Sequence, residues 1–327
     1  MHSISPQLRR LADRARTADG EPAAWLEADE ARALWGAVLD GAVPELELGA
    51  LLFALAKGGE STDDLIGLHR ALAERSVKWT PDVSRRPVSI PVYGLYEGEA
   101  VFAALLAAFL RRFDVPVVLH GPLESRSGPS AASLLRELGV MPCTSLAEGE
   151  RELRGNGIAY LPPSLFSSAL ADLLALRARL GTPLAAHRAA LAFDPGGMGA
   201  LRVAISAPSA SPVRILPFVR ATGGDALFLD WPAGSGPGDF ARRPRIALWT
   251  GAAEEPYFDA EGVVGAAVLP ARPADLGPWI RSVAARAIPA PLPLVHLAAS
   301  CLVATGAAAG FTQAKAVVAL QSGRLAA

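Results

Sequence analysis

The residues best suited to chemistry in this chain are a histidine behind a strand-like run and the polar segment that follows it. His120 ends the β-rich stretch 115–119. Open α/β sheets collect ligands at the carboxyl ends of their strands, so an imidazole there is a candidate ligand contact. Its structural alternative is a cap on the strand. Ser125, Arg126 and Ser127 stand just before a helix-forming stretch at 130–138. Hydroxyls and a guanidinium at a helix start suit an anion, and the same residues also suit plain capping. His187 lies in an apolar helical stretch, as a binding residue or as a satisfied histidine between domains. Arg220 and Asp225 would line the opposite wall of a cleft, or form a local ion pair. Arg9, Arg10, Arg14 and Arg16 are the densest basic segment, and Arg9 and Arg16 share a helix face. They fit nucleic-acid phosphates or an ordinary solvated face.

Composition narrows the partners. The chain has 327 residues, 51% of them hydrophobic and 19% charged, with a formal net charge of −1. That is enough apolar material for a substantial core, and too little charge for a disordered chain. It is not the excess of Lys and Arg that a globally basic nucleic-acid binder carries. Lys57, Lys78 and Lys315 are the only lysines. Cys143 and Cys301 form no ligand-spaced pair and read as buried apolar residues in a reducing compartment. The first twenty residues are polar and Arg-rich, unlike a signal peptide. The apolar run 100–110 is too short to span a bilayer. A cytoplasmic protein without membrane attachment is expected.

The elements that would position these residues fall into two kinds. Residues 28–40 form a periodic helix closed by Gly41. A second helix spans 46–56, and Ser61 caps a third that runs to Arg75, with Asp63 and Asp64 at its positive end. From Pro87 the pattern changes to strands at 88–93, 115–119 and 157–161, separated by helices at 100–113 and 130–138. Strand alternating with helix predicts a mainly parallel sheet with crossover helices. Helical character returns between 163 and 187. Further strands are predicted at 201–205, 215–219, 226–229 and 246–249, and two Ala-rich helices within 293–321. The charge run 148–154 reads as a solvated loop, and the Gly/Pro-rich stretch 232–243 as a surface loop.

Three motifs in this order resemble the anthranilate phosphoribosyltransferase and pyrimidine nucleoside phosphorylase group. The first is the helix ending in Asp40-Gly41, the apolar helix 51–56, and Lys57-Gly58-Gly59-Glu60-Ser61, similar to the family's "K-G-E-T". The second is Val115-Pro116-Val117-Val118-Leu119-His120-Gly121 with the helix through Leu138-Gly139-Val140. The third is Leu161-Pro162-Pro163 with Leu176-Arg177-Ala178-Arg179-Leu180-Gly181-Thr182. The resemblance implies a small all-helical domain (1–80, with a returning segment 163–190) and a larger α/β domain (85–160 and 195–327). It also implies a homodimer through the helical domain.

It further shows which parts of the transferase machinery are missing. The family's phosphate loop falls at 92–96, where only Gly94 survives and Glu97 and Glu99 follow; carboxylates there repel a pyrophosphate. The family's Asn, Ser and Thr donors map to Phe102-Ala103-Ala104-Leu105. Its Lys is Leu119, its Asn is Pro122, and of its paired acids only Asp225, with Asp230 nearby, offers a match. No magnesium site and no cofactor are therefore expected.

The divergent TrpD2/YbiB branch of glycosyl transferase family 3 is more similar still. Its motifs match Pro91-Val92-Tyr93-Gly94, Leu119-His120-Gly121, the stretch 180–195 and Arg220 to Asp225. It departs at Glu97, Glu99 and Ala190, where the branch has basic residues. The resemblance implies a homologue that lacks anthranilate phosphoribosyltransferase activity. It would bind an anionic ligand, single-stranded nucleic acid among them, in the former substrate cleft. The expected site is Tyr93, Gly94, His120, Gly121, Ser125, Arg126, Ser127, His187, Arg220 and Asp225. The alternative is an active phosphoribosyl or glycosyl transferase with an altered donor site.

Overall fold

The N-terminal helices form where caps and apolar periodicity coincide. A computed structural model describes residues 3–14, 25–125, 128–195, 199–207 and 215–322. Helices α1 (Ser5–Ala12), α2 (Ala28–Leu39), α3 (Glu45–Gly58) and α4 (Thr62–Arg75) come first. Ser61 and Asp64 close a reciprocal capping box on α4. The Asp64 carboxylate accepts from the Ser61 amide at 2.9 Å, and the Ser61 hydroxyl accepts from the Asp64 amide at 3.2 Å. Leu65, Leu68 and Leu72 of α4 then bury against α2 at helical spacing.

Next come β1 (Val88–Pro91), α5 (Glu99–Arg111), β2 (Val117–His120), α6 (Ala131–Arg136), α7 (Leu146–Gly155) and β3 (Ile158–Leu161). The chain then returns to the helical unit through α8 (Ser168–Ala175), α9 (Arg177–Leu180) and α10 (Ala185–Ala189); α8 packs on α2, and α10 on α3 and α4. A buried bidentate ion pair, Arg188 on Glu60, fastens α10 to the end of α3.

The remaining elements are β4 (Leu201–Ser206), α11 (Ile215–Ala221), β5 (Ala226–Asp230), β6 (Arg242–Arg243), β7 (Arg245–Trp249), β8 (Glu254–Phe258), β9 (Glu261–Gly262), α12 (Pro273–Ala284), α13 (Leu292–Ala304) and α14 (Phe311–Gln321). The main sheet has the order β3-β2-β1-β4-β5-β7-β8. β1 to β5 are parallel neighbours, and β7 and β8 extend the sheet antiparallel. The first three strands are buried throughout, as a sheet covered by helices requires. The fold is thus a helical domain joined to an α/β domain with a mainly parallel sheet.

Two local expectations are corrected. Residues 215–219 are not a strand but the start of α11, because Ile215, Phe218 and Val219 bury at the 3.6-residue period. Pro217 sits in its first turn, where a missing amide costs nothing. The charge run 148–154 is not a loop. It belongs to α7, which buries Gly149 and Leu153 on one face and is capped by Ser145. Among the described residues, no helix is long and apolar enough to cross a membrane.

Candidate functional site

β1, β2 and β3 end level with one another: Pro91 pairs with His120, and His120 with Leu161. Above these ends the chain leaves a cavity of about 1060 Å³. Its floor and walls come from the loop after β1, the loop after β2, the Pro162–Pro163 turn, α8 to α10, and the segment 269–276.

The loop after β1 shapes the floor. Gly94 (φ +68) and Gly98 (φ +73) turn it through the left-handed region. Gly98 also packs backbone to backbone on Gly238; a Cβ on Gly98 would lie 2.2 Å from the Gly238 Cα. The Gly238 amide donates to the Glu97 carbonyl at 3.1 Å, and the Tyr96 hydroxyl donates to the Ile205 carbonyl at 3.0 Å. Inside this loop stands the Glu99 carboxylate, 2% exposed. It accepts from the amides of Tyr93 (2.7 Å), Leu95 (2.9 Å) and Tyr96 (3.1 Å). Burial pushes its carboxyl up, and those amides pull it back toward the charged form. Glu99 therefore does more than repel an anion from the loop, as the sequence suggested; it occupies the loop's donors.

His120 lies beneath this floor rather than in the cavity wall. It is fully buried, with the Tyr93 hydroxyl 2.8 Å from its Nδ1 and the Phe166 ring edge-on at 6.1 Å. Burial brings the imidazole down to about 3, so it is neutral at pH 7. Tyr93 and Gly94 do line the cavity. Gly121 is needed for closeness, since a Cβ there would meet the Val92 carbonyl oxygen at 1.9 Å. Ser125 stands on the exposed rim. Arg126 and Ser127 lie outside the described residues, as does Arg16.

His187 and Arg177 supply the polar part of the α8–α10 wall. His187 is buried, and its Nδ1 accepts the Leu184 amide at 3.3 Å, which places the ring proton on Nε2. Burial, reinforced by Arg177 and Arg188, brings it down to about 3. Arg177 donates to the carbonyls of Gly94 (2.9 Å) and Tyr93 (3.3 Å). Only the resemblance motif contained Arg177, and nothing in its sequence context marked it as a cleft residue.

Arg220 and Asp225 are not brought into this cavity. Arg220 pairs with Glu254 and lies 5.1 Å over the Trp249 ring, while Asp225 pairs with Arg86 at 2.8 Å. The opposite wall is formed instead by Leu269, Pro270 and Leu276. Of the N-terminal arginines, Arg10 pairs with Glu30 at 2.9 Å and Arg14 donates to the Gly59 carbonyl at 2.7 Å.

Residues 15–76 match the helical bundle domain of a glycosyl transferase family. The chain is 30% identical over 288 residues to the protein YbiB of Escherichia coli K12, covering 87% of this chain and 90% of that one. It is 28% identical over 185 residues to the anthranilate phosphoribosyltransferase of Methylobacterium nodulans, covering 56% and 51%. The anthranilate phosphoribosyltransferase of Thermus thermophilus superposes with a TM-score of 0.67 at 18% identity, over 97% of this chain and 94% of that one. That of Saccharomyces cerevisiae, in complex with PRPP and Mg, gives 0.64 at 11%, with the same coverage. At such identities the two structures speak for the fold alone.

Proposed function

We propose, for a chain that belongs to glycosyl transferase family 3 with YbiB and the anthranilate phosphoribosyltransferases, that phosphoribosyl transfer is absent and that the cleft above β1–β3 binds an organic ligand without a pyrophosphate group. The observation that carries this reading is the start of α5. Phe102, Ala103, Ala104 and Leu105, to which the resemblance maps the family's hydroxyl and amide donors, are packed in the core at 0–2% exposure. Phe102 lies edge-on to Trp231 at 5.6 Å. Removing one preorganised donor typically costs about 10²–10³ in rate, and here a whole set is replaced by hydrocarbon.

The residues do not fit a magnesium ion either. Asp225, the carboxylate that the resemblance offers as a match to the family's acids, is neutralised by Arg86 and stands outside the cavity. Among the described residues, the cavity offers the Arg177 guanidinium, the Nε2–H of His187, and apolar walls of Pro163, Leu174, Leu269 and Leu276. These suit a small molecule with an apolar body and a hydrogen-bond acceptor, a carboxylate or carbonyl. A polyanion such as single-stranded nucleic acid would bring many charges past Glu97 and Glu124 at the same cavity, whereas a small ligand brings at most one, which Arg177 can offset.

The test is a thermal-shift screen of small carboxylates and amides, with phosphoribosyl pyrophosphate plus Mg²⁺ alongside. A ligand that binds the native state raises the midpoint. Shifts are expected from the first group, lost in Arg177→Met, and none from the second. Phosphoribosyl anthranilate formation within about an order of magnitude of an authentic enzyme would overturn the reading. A steeply salt-dependent shift of single-stranded oligonucleotides would replace the small ligand with nucleic acid.

A homodimer through α3 is part of the same proposal. Leu46 (86% exposed) and Phe53 (49%) lie two turns apart on one face of that helix. Light scattering is expected to give a dimer, and a monomer for Leu46→Lys/Phe53→Lys. A monomeric parent protein at tens of micromolar would refute it.

A further inference from the structure

We infer that Glu99 is a specificity-determining residue: its carboxylate is a built-in anion that closes the loop after β1 to phosphates. The inference rests on the reading that this cleft is the ligand site, and adds which ligands it rejects and by what device. Successive backbone N–H groups that converge in a turn form a concave anion site. The amides of Tyr93, Leu95 and Tyr96 do so here, in a loop that lines the cavity. They converge on one side chain of the same chain, only a few bonds from its own backbone. The loop does not depend on that carboxylate alone for its shape. Gly98 is wedged against Gly238, and Tyr96 is held by the Ile205 carbonyl.

A phosphate entering the cleft would therefore find a preformed cradle with its donors already engaged. It would have to displace a tethered carboxylate, which is always present at high effective concentration and loses no translational freedom on binding. It would also face that carboxylate's charge in a site screened from water. An uncharged group, or a carboxylate seated at Arg177 on the α8–α10 wall, makes no demand on these amides. The cradle thus discriminates by ligand class.

The test uses full-length protein and inorganic pyrophosphate as the probe, by calorimetry and thermal shift at constant ionic strength. Millimolar pyrophosphate is expected to leave the wild-type midpoint unchanged. It should also leave the amide resonances of Tyr93, Leu95 and Tyr96 in place. Glu99→Ala frees the three amides, and should bind pyrophosphate at least about tenfold more tightly than wild type and gain midpoint from it. Glu99→Gln keeps the side-chain length without the charge, and is the second variant should the alanine variant fold poorly; a smaller gain in the same direction is expected. Folded variants that gain nothing overturn the inference, as does movement of the three wild-type amides on adding pyrophosphate. If the wild type takes no small ligand while Glu99→Ala gains pyrophosphate, the inference stands and the proposed ligand function falls.

Discussion

Removing the arginine from the Arg188–Glu60 pair should be among the most damaging single changes in this protein. Arg188 is 8% exposed and Glu60 1%, so the pair lies far from the surface regime in which ion pairs contribute at most about 1 kcal/mol. Arg188→Met leaves the Glu60 carboxylate buried with its bidentate partner gone. Breaking a buried pair in this one-sided way costs about 3–5 kcal/mol. For a chain of 327 residues the unfolding entropy is ~0.7 kcal/mol/K, so a loss of ~4 kcal/mol lowers the midpoint by about 6 °C. Replacing both partners, Glu60→Leu with Arg188→Met, removes the stranded charge and should recover most of that loss. The assay is urea denaturation of the parent, both single variants and the double variant, read as a thermodynamic cycle. A single-variant cost below about 1 kcal/mol, or a double variant no better than Arg188→Met, would refute the reasoning.

Three further outcomes follow from the same geometry. Gly98→Ala should destabilise by about 2 kcal/mol or more, because φ +73 and the 2.2 Å approach to Gly238 both oppose a Cβ; an unchanged urea midpoint would count against it. Acid should weaken the fold through His69 of α4, His120 and His187. Their folded values, about 4, 3 and 3, lie below the ordinary 6.5, so their contribution is full above pH 6.5 and falls as pH drops, by about 4 kcal/mol per pH unit for the three down to pH 4. Asp64, raised from 3.8 to about 6, acts in the opposite sense, its contribution fading as pH rises through that window, so urea midpoints should fall less steeply with acid below pH 6 than the histidines alone require. Cys143, pushed up to about 11 by burial, and the fully buried Cys301 should stay unreactive toward a thiol reagent until the protein unfolds; fast labelling of native protein would contradict their placement.

Much of the fold was legible because local signals agreed with burial. Ser61, the glycine at 41 and the strand–helix alternation after Pro87 each acted within a few residues of their cause. Residues 215–219 misled because β-branched and aromatic residues suit strands, while burial of Ile215, Phe218 and Val219 on one face decides for a helix. The cleft was legible only in part. Tyr93, Gly94 and His187 could be placed from motif order, but Arg220 and Asp225 went to Glu254 and Arg86, partners far from them in sequence. The role of Glu99 depends on a turn that bends the chain back on itself. Its sign was readable from the sequence, and its hydrogen bonds were not.

The contact between Gly98 and Gly238 also bears on how this protein can change over generations. Residues 232–241 have the composition of a loop that ordinarily accepts insertions and drift. Here that stretch rests its backbone on the cleft floor, so neither glycine can acquire a side chain without moving the other. Two segments about 140 positions apart are therefore expected to vary together, and lengthening the outer one must either keep this backbone approach or shift the loop after β1.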